Sequence, residues 1–203
     1  MPLSRNRKVS PGLFYAIAGI LALLSTTTAE EVVPGYSVKY QAISALGGAG
    51  YPTMIYWDAQ IFIIGLLWIT GTRLLFRQTK YLFTSIPFYL VGVGLILVSL
   101  NPWNINPALH MIGAEFAAIF GALSALLSYK ITKNSLKYTS FSLGALSFFG
   151  YFFATPISFI LGPGGAERLI YYPIFFWAIL FGGVLVGKNS TLEGINFLPE
   201  KDL

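Results

Sequence analysis

The sequence predicts an all-α membrane protein, a six-transmembrane-helix bundle with N- and C-termini cytoplasmic. Three observations carry that prediction. Hydrophobic residues make up 55% of the 203-residue chain and charged residues only 10%, and mean hydropathy is +0.68. Soluble domains carry roughly a quarter charged residues. Six apolar runs reach or approach the roughly 20 residues needed to cross a hydrocarbon core. The basic residues alternate between the two sides of those runs, as membrane topology requires.

Residues 1–203 read as one transmembrane domain with no internal repeat. The start is basic, with Arg5, Arg7 and Lys8. Pro11 then opens the first span, about 12–28. Basic start, apolar run and Thr27-x-Ala29 also describe a signal peptide cleaved before Glu30. The charge parity described below favours a span. An extracellular loop, 29–54, follows, polar and glycine-rich, with tyrosines at headgroup depth. Span two is 55–76, with Asp58 near its entrance and Arg73 near its exit. Span three, 81–100, contains Pro87, which bends it. After a turn at Asn101–Asn106, Pro107 suits the first helical position of span four, 107–129. Span five, 138–161, carries Pro156 as a kink or an end. The stretch GPGGAER, Gly162 to Arg168, reads as a glycine-rich turn, and span six follows at 169–187. A cytoplasmic tail, 188–203, is polar.

With the N-terminus inside, eleven basic residues face the cytoplasm: Arg5, Arg7, Lys8, Arg73, Arg77, Lys80, Lys130, Lys133, Lys137, Lys188 and Lys201. Two, Lys39 and Arg168, lie outside. This asymmetry accounts for the net charge of +5 without nucleic acid. The Asn189-Ser190-Thr191 sequon then faces inward and goes unglycosylated. The location expected is the cell membrane, multi-pass.

Several chemistries are excluded. The chain has no cysteine and one histidine. It therefore has no disulfide, thiolate metal site, iron–sulfur cluster, bis-histidine haem or three-histidine zinc site. Phosphate-binding loops, dinucleotide fingerprints and common hydrolase motifs are absent from the sequence. No cofactor or metal is expected.

The polar residues gather at one end. Span four holds His110 about one turn in and Glu115 roughly 12 Å in, at 1.5 Å per residue. The two lie about 140° apart on the helix. Gly113, Ala117, Gly121 and Ala125 form a row of small residues that admits a neighbouring helix closely. A carboxyl two turns deep is either protonated or paired. Asp58, His110, Glu115, Glu167, Arg168 and Tyr171 fall in the outer third and are expected to form one outward-facing cluster. Glu167 and Arg168 also fit an ordinary loop ion pair, and Asp58 a simple helix-entry cap.

Two stretches carry a family resemblance. Ile43, Ser44, Leu46 and Gly47 match the Ile-Ser-x-Leu-Gly part of a loop pattern that opens on a polar residue, for which Gln41 stands here two positions before Ile43. Gly164, Gly165, Glu167, Arg168, Tyr172 and Pro173 match a Gly-Gly-x-Glu-Arg-x-x-x-Tyr-Pro signature of the last span. His110 matches a histidine at the start of span four, and Asp58 stands where the pattern has asparagine. The chain thereby resembles an archaeal and bacterial integral-membrane family described as domain of unknown function 998, grouped loosely with the Frag, DRAM and Sfk membrane proteins. The resemblance implies a six-helix bundle with its marked residues at the outer end, and no activity.

Three functions fit these residues. The first is a lipid-binding or accessory membrane protein, its partners being membrane lipids, other membrane subunits or a second copy. The second is an enzyme acting on lipid or isoprenoid headgroups, with His110, Glu115 and Asp58 as acid–base candidates. The weakest is a small-solute transporter, for which no inverted repeat is visible.

Overall fold

The structure, a computed structural model, describes residues 9–77, 82–132 and 134–188. The basic residues Arg5, Arg7, Lys8, Lys80, Lys133 and Lys201, the sequon and the tail from 189 onward lie outside the described residues.

Six α-helices follow one another: α1 (Pro11–Val32), α2 (Met54–Phe76), α3 (Leu82–Leu100), α4 (Pro107–Ile131), α5 (Asn134–Phe152) and α6 (Ala154–Lys188). A short 3-10 helix, Ile43–Gly47, interrupts the long loop after α1. Proline at the first helical position and a polar cap start both α1 and α4. Ser10 accepts from the Gly12 amide at 3.3 Å, and Asn106 accepts from the Leu109 amide at 3.3 Å. Each cap satisfies an amide that the helix itself leaves free.

Helix α1 runs to Val32 rather than 28 and α5 begins at Asn134 rather than 138, and the division between α5 and α6 departs further from the sequence expectation. The helix expected to run to residue 161 breaks at Phe153, and α6 begins at Ala154. Pro156 then falls in the first turn of a new helix, where its missing N–H costs nothing. The expected turn at 162–168 is a break at one residue, Gly162 (φ 76°, ψ 164°). Pro163 restarts the helix, so Glu167 and Arg168 are helical. Gly162 is in a region that L side chains avoid, and a Cβ there would also strike the Lys39 carbonyl.

Each helix packs on its neighbours in sequence, and α6 returns against α1, closing a ring; α4 touches α6 across it. Glycines set the close crossings in reciprocal pairs: Gly65 of α2 with Gly92 of α3, and Gly94 of α3 with Gly113 of α4. In each pair a Cβ on one would meet the partner's carbonyl oxygen. Farther along α4, Gly121 faces Ile174 of α6. The row of small residues drifts around the helix because four residues overshoot one 3.6-residue turn.

The two ends of the ring are filled differently. Where α1 and α3 begin and α2 and α6 end, Tyr15, Trp68, Phe88, Trp177 and Phe181 pack together, each at most 2% exposed. Their ring centroids are 5.0 to 6.4 Å apart. The Tyr15 hydroxyl lies 2.9 Å from the Thr72 hydroxyl, and Trp177 Nε1 donates to Ser128 at 3.1 Å, so these two groups are satisfied, whereas Trp68 Nε1 is buried without a partner among the described residues. The other end is covered by the loop between α1 and α2.

The outer surface of the ring is apolar, with Ile55, Phe152, Phe159 and Ile160 more than two-thirds exposed. Among the described residues four helices, α1, α2, α4 and α6, are long and apolar enough to cross a membrane. A surface and helices of this kind indicate a membrane location.

Candidate functional site

Arg168 organises the loop that covers the open end. It is 7% exposed, and its guanidinium forms a salt bridge with Glu30 near the C-terminus of α1. Nη2 also donates to the Tyr36 hydroxyl at 2.9 Å. Nη1 donates to the carbonyls of Gly164 (2.8 Å), Val38 (3.1 Å) and Gln41 (3.3 Å). Tyr36 in turn donates to the Ala42 carbonyl at 2.9 Å. Burial pushes the Tyr36 phenol up to about 12, against the pull of the arginine beside it.

Glu167, the residue before, turns the other way and accepts from the Ile43 amide at the start of the 3-10 helix. A carboxylate there satisfies an amide that the helix leaves free. Gly164 lets the loop lie flat on α6, since a Cβ would meet the Val38 and Gln41 carbonyls, and its amide donates to the Lys39 carbonyl at 3.0 Å. Gly47 does the same over α2, where a Cβ would run into Asp58 and Trp57. Thr53 closes the 3-10 helix by donating to the Leu46 carbonyl at 2.8 Å. The two stretches that carry the family resemblance are therefore each other's binding partners.

Beneath this loop is a cavity of about 500 Å³, walled by the loop and by α4, α5 and α6. Its polar side chains include His110 and Glu115 of α4, Tyr151 of α5, Glu167 of α6 and Ser44 of the loop. Apolar wall comes from Met111, Ala114, Ala118 and Ile170, and aromatic wall from Tyr40, Tyr51, Trp103 and Tyr171. A volume of this size holds a small ligand or the head and upper chain of an amphiphile.

His110 is 3% exposed. Its Nδ1 lies 2.8 Å from the Asn101 carbonyl oxygen. A carbonyl can only accept, so Nδ1 carries the proton, and in the neutral form of the ring Nε2 is then an acceptor. Nε2 is buried and has no hydrogen-bond partner. Glu115 accepts from the Tyr151 hydroxyl. Tyr171 donates to the Ala114 carbonyl at 3.0 Å, which fixes its ring against α4.

Of the six residues expected in one cluster, His110, Glu115, Glu167 and Tyr171 line the cavity. Arg168 and Asp58 do not. Arg168 faces the loop and Glu30, and no ion pair joins it to Glu167. Asp58 sits behind the 3-10 helix on a separate groove between α2 and α3, with its Oδ1 buried and unpartnered. Sequence reasoning missed Tyr151, Tyr36 and Glu30. Tyrosines are too numerous here to single out, twelve in all. Glu30 was hidden because α1 runs one turn past the expected end at residue 28.

Comparison of the chain with family models, curated proteins and solved structures finds no match.

Proposed function

We propose that this is a six-span membrane protein with both ends in the cytoplasm, whose outward cavity binds an amphipathic molecule such as a membrane lipid. We place it with the domain of unknown function 998 proteins that it resembles, on the strength of the two interlocking motif stretches. In this reading it is a lipid-binding or accessory protein of the cell membrane. The observation that carries the reading is the cavity itself, apolar on one part of its wall and bearing His110 and Glu115 on another. The aromatic cluster at the opposite end weighs against a transport path through the ring.

A bound amphiphile is tested by native mass spectrometry and solvent extraction of protein purified in a neutral detergent. Ala118 is 3% exposed and lines the cavity, so Ala118→Trp should fill it and remove the co-purified species. Equal recovery from parent and variant, or none from either, would overturn the proposal.

One observation favours a second reading, an enzyme acting on lipid or isoprenoid headgroups. A histidine with Nδ1 fixed on a carbonyl and Nε2 free has the geometry of a general base. Turnover of an added lipid that is lost in a His110 variant would move the conclusion to this reading.

A further inference from the structure

Resting on the reading that the cavity holds an amphiphile, we infer that the head of that amphiphile is a protonated amine bearing N–H groups, held by Glu115 and His110. The wall lacks one kind of group, a cationic donor. Two carboxylates, Glu115 and Glu167, line the cavity, and among the described residues no salt bridge reaches either of them. Arg168 stands next to Glu167 in sequence, but its guanidinium is held by Glu30, Tyr36 and loop carbonyls and forms no part of the wall.

The two carboxylates differ in what they can still bind. Glu167 is engaged by the start of the 3-10 helix. Glu115 takes a hydrogen bond from Tyr151, and a carboxylate has about four acceptor positions. His110, whose Nε2 is buried and has no partner among the described residues, also lines the cavity. A buried acceptor left unmade is costly, and a ligand N–H removes that cost.

The sign of the charge then selects among heads. A phosphate or carboxylate would enter beside Glu115 in a wall that holds no cationic side chain, and the like charges would repel. A hydroxyl would satisfy the acceptors but leave the carboxylate unpaired. A quaternary ammonium would balance charge but has no N–H for Nε2. A primary ammonium does both. The aromatic side chains of Tyr51 and Trp103 in the wall suit a cation, while the Tyr40 ring already has Lys39 Nζ 5.5 Å from its centroid; Met111, Ala118 and Ile170 suit the chain attached to it.

The test is binding to the full chain in a neutral detergent, read by thermal unfolding and by competition. The probes are decylamine, decyltrimethylammonium, decanol, decanoate and methylamine. Decylamine should bind at least about tenfold more tightly than decanol or decanoate, the range expected for a charge-assisted hydrogen bond. It should also exceed decyltrimethylammonium, a comparison that needs no variant. Glu115→Gln should reduce decylamine to the level of decanol. If decanol, decanoate and decylamine bind alike, the amine head is wrong while the amphiphile cavity stands. If methylamine binds as tightly as decylamine, the ligand is a soluble amine and the proposed chain is wrong. Should no decyl probe bind, the cavity reading falls together with the inference.

Discussion

Arg168 of α6 forms a buried salt bridge with Glu30 of α1, joining the last helix to the first where the ring closes. The two side chains are 8% and 14% exposed. Its two terminal nitrogens also bind Tyr36 and the Val38 and Gln41 carbonyls of the covering loop, so one guanidinium couples ring closure to the cavity roof.

Removing one partner of such a pair strands the other, at a cost of about 3–5 kcal/mol. Arg168→Ala should lower unfolding stability in detergent by that amount. Glu30→Ala made in the Arg168→Ala background should cost little more, because its partner is already gone. A loss well under about 1 kcal/mol for Arg168→Ala would mean a solvent-screened pair and a loosely held loop.

The Gly121 crossing gives an internally controlled prediction. A Cβ at Gly121 would stand 2.7 Å from Ile174 Cδ1, whereas one at Gly183 would meet nothing within 4 Å. Gly121→Leu should therefore destabilise by about 1–3 kcal/mol through overpacking. Gly183→Leu should be neutral, or should gain up to about 1 kcal/mol of helix propensity. Equal melting temperatures for the two variants would place Gly121 on the lipid face.

How much of this was legible in the sequence depended on the kind of signal. Helices α2, α3 and α4 begin and end within two residues of the expected runs, because turns rich in polar residues and Pro107 mark their ends. The division between α5 and α6 was not legible. Pro156 and GPGGAER both read as breakers, yet a proline is free of cost in a first turn, and only Gly162 departs from helix. The positions of His110 and Glu115 in the first turns of α4 followed from counting residues after Pro107. Which way Arg168 faced did not, since that depends on where α1 stops and how the loop folds back. Glu30 lies 138 residues away in sequence. No local pattern records such a pairing.

Sidedness rests on the distribution of arginine and lysine, and the absence of native cysteine makes it easy to test. Tyr40 is 67% exposed on the covering loop and Tyr138 is 66% exposed near the start of α5. In intact cells, Tyr40→Cys should react with a membrane-impermeant thiol reagent and Tyr138→Cys should not, until the membrane is permeabilised. The opposite pattern would invert the bundle and turn the cavity toward the cytoplasm.

The sharpest question is whether His110 holds the turn before α4 or serves a ligand, and its two nitrogens allow the roles to be separated. Nδ1 binds the Asn101 carbonyl at 2.8 Å, while Nε2 binds nothing. The amide of asparagine can place an N–H near the Nδ1 position but does not reach Nε2. His110→Asn should therefore keep the Asn101 contact and melt close to the parent protein. His110→Leu removes the contact, leaving a buried carbonyl unsatisfied, and should cost about 1–3 kcal/mol. Retention of the amphiphile, or turnover if there is any, should fall in both variants. A histidine that only fixes the turn gives another pattern: the asparagine variant then binds as the parent does, and only the leucine variant is impaired. That second pattern would remove His110 from the site and, with it, the only candidate for a general base at Nε2.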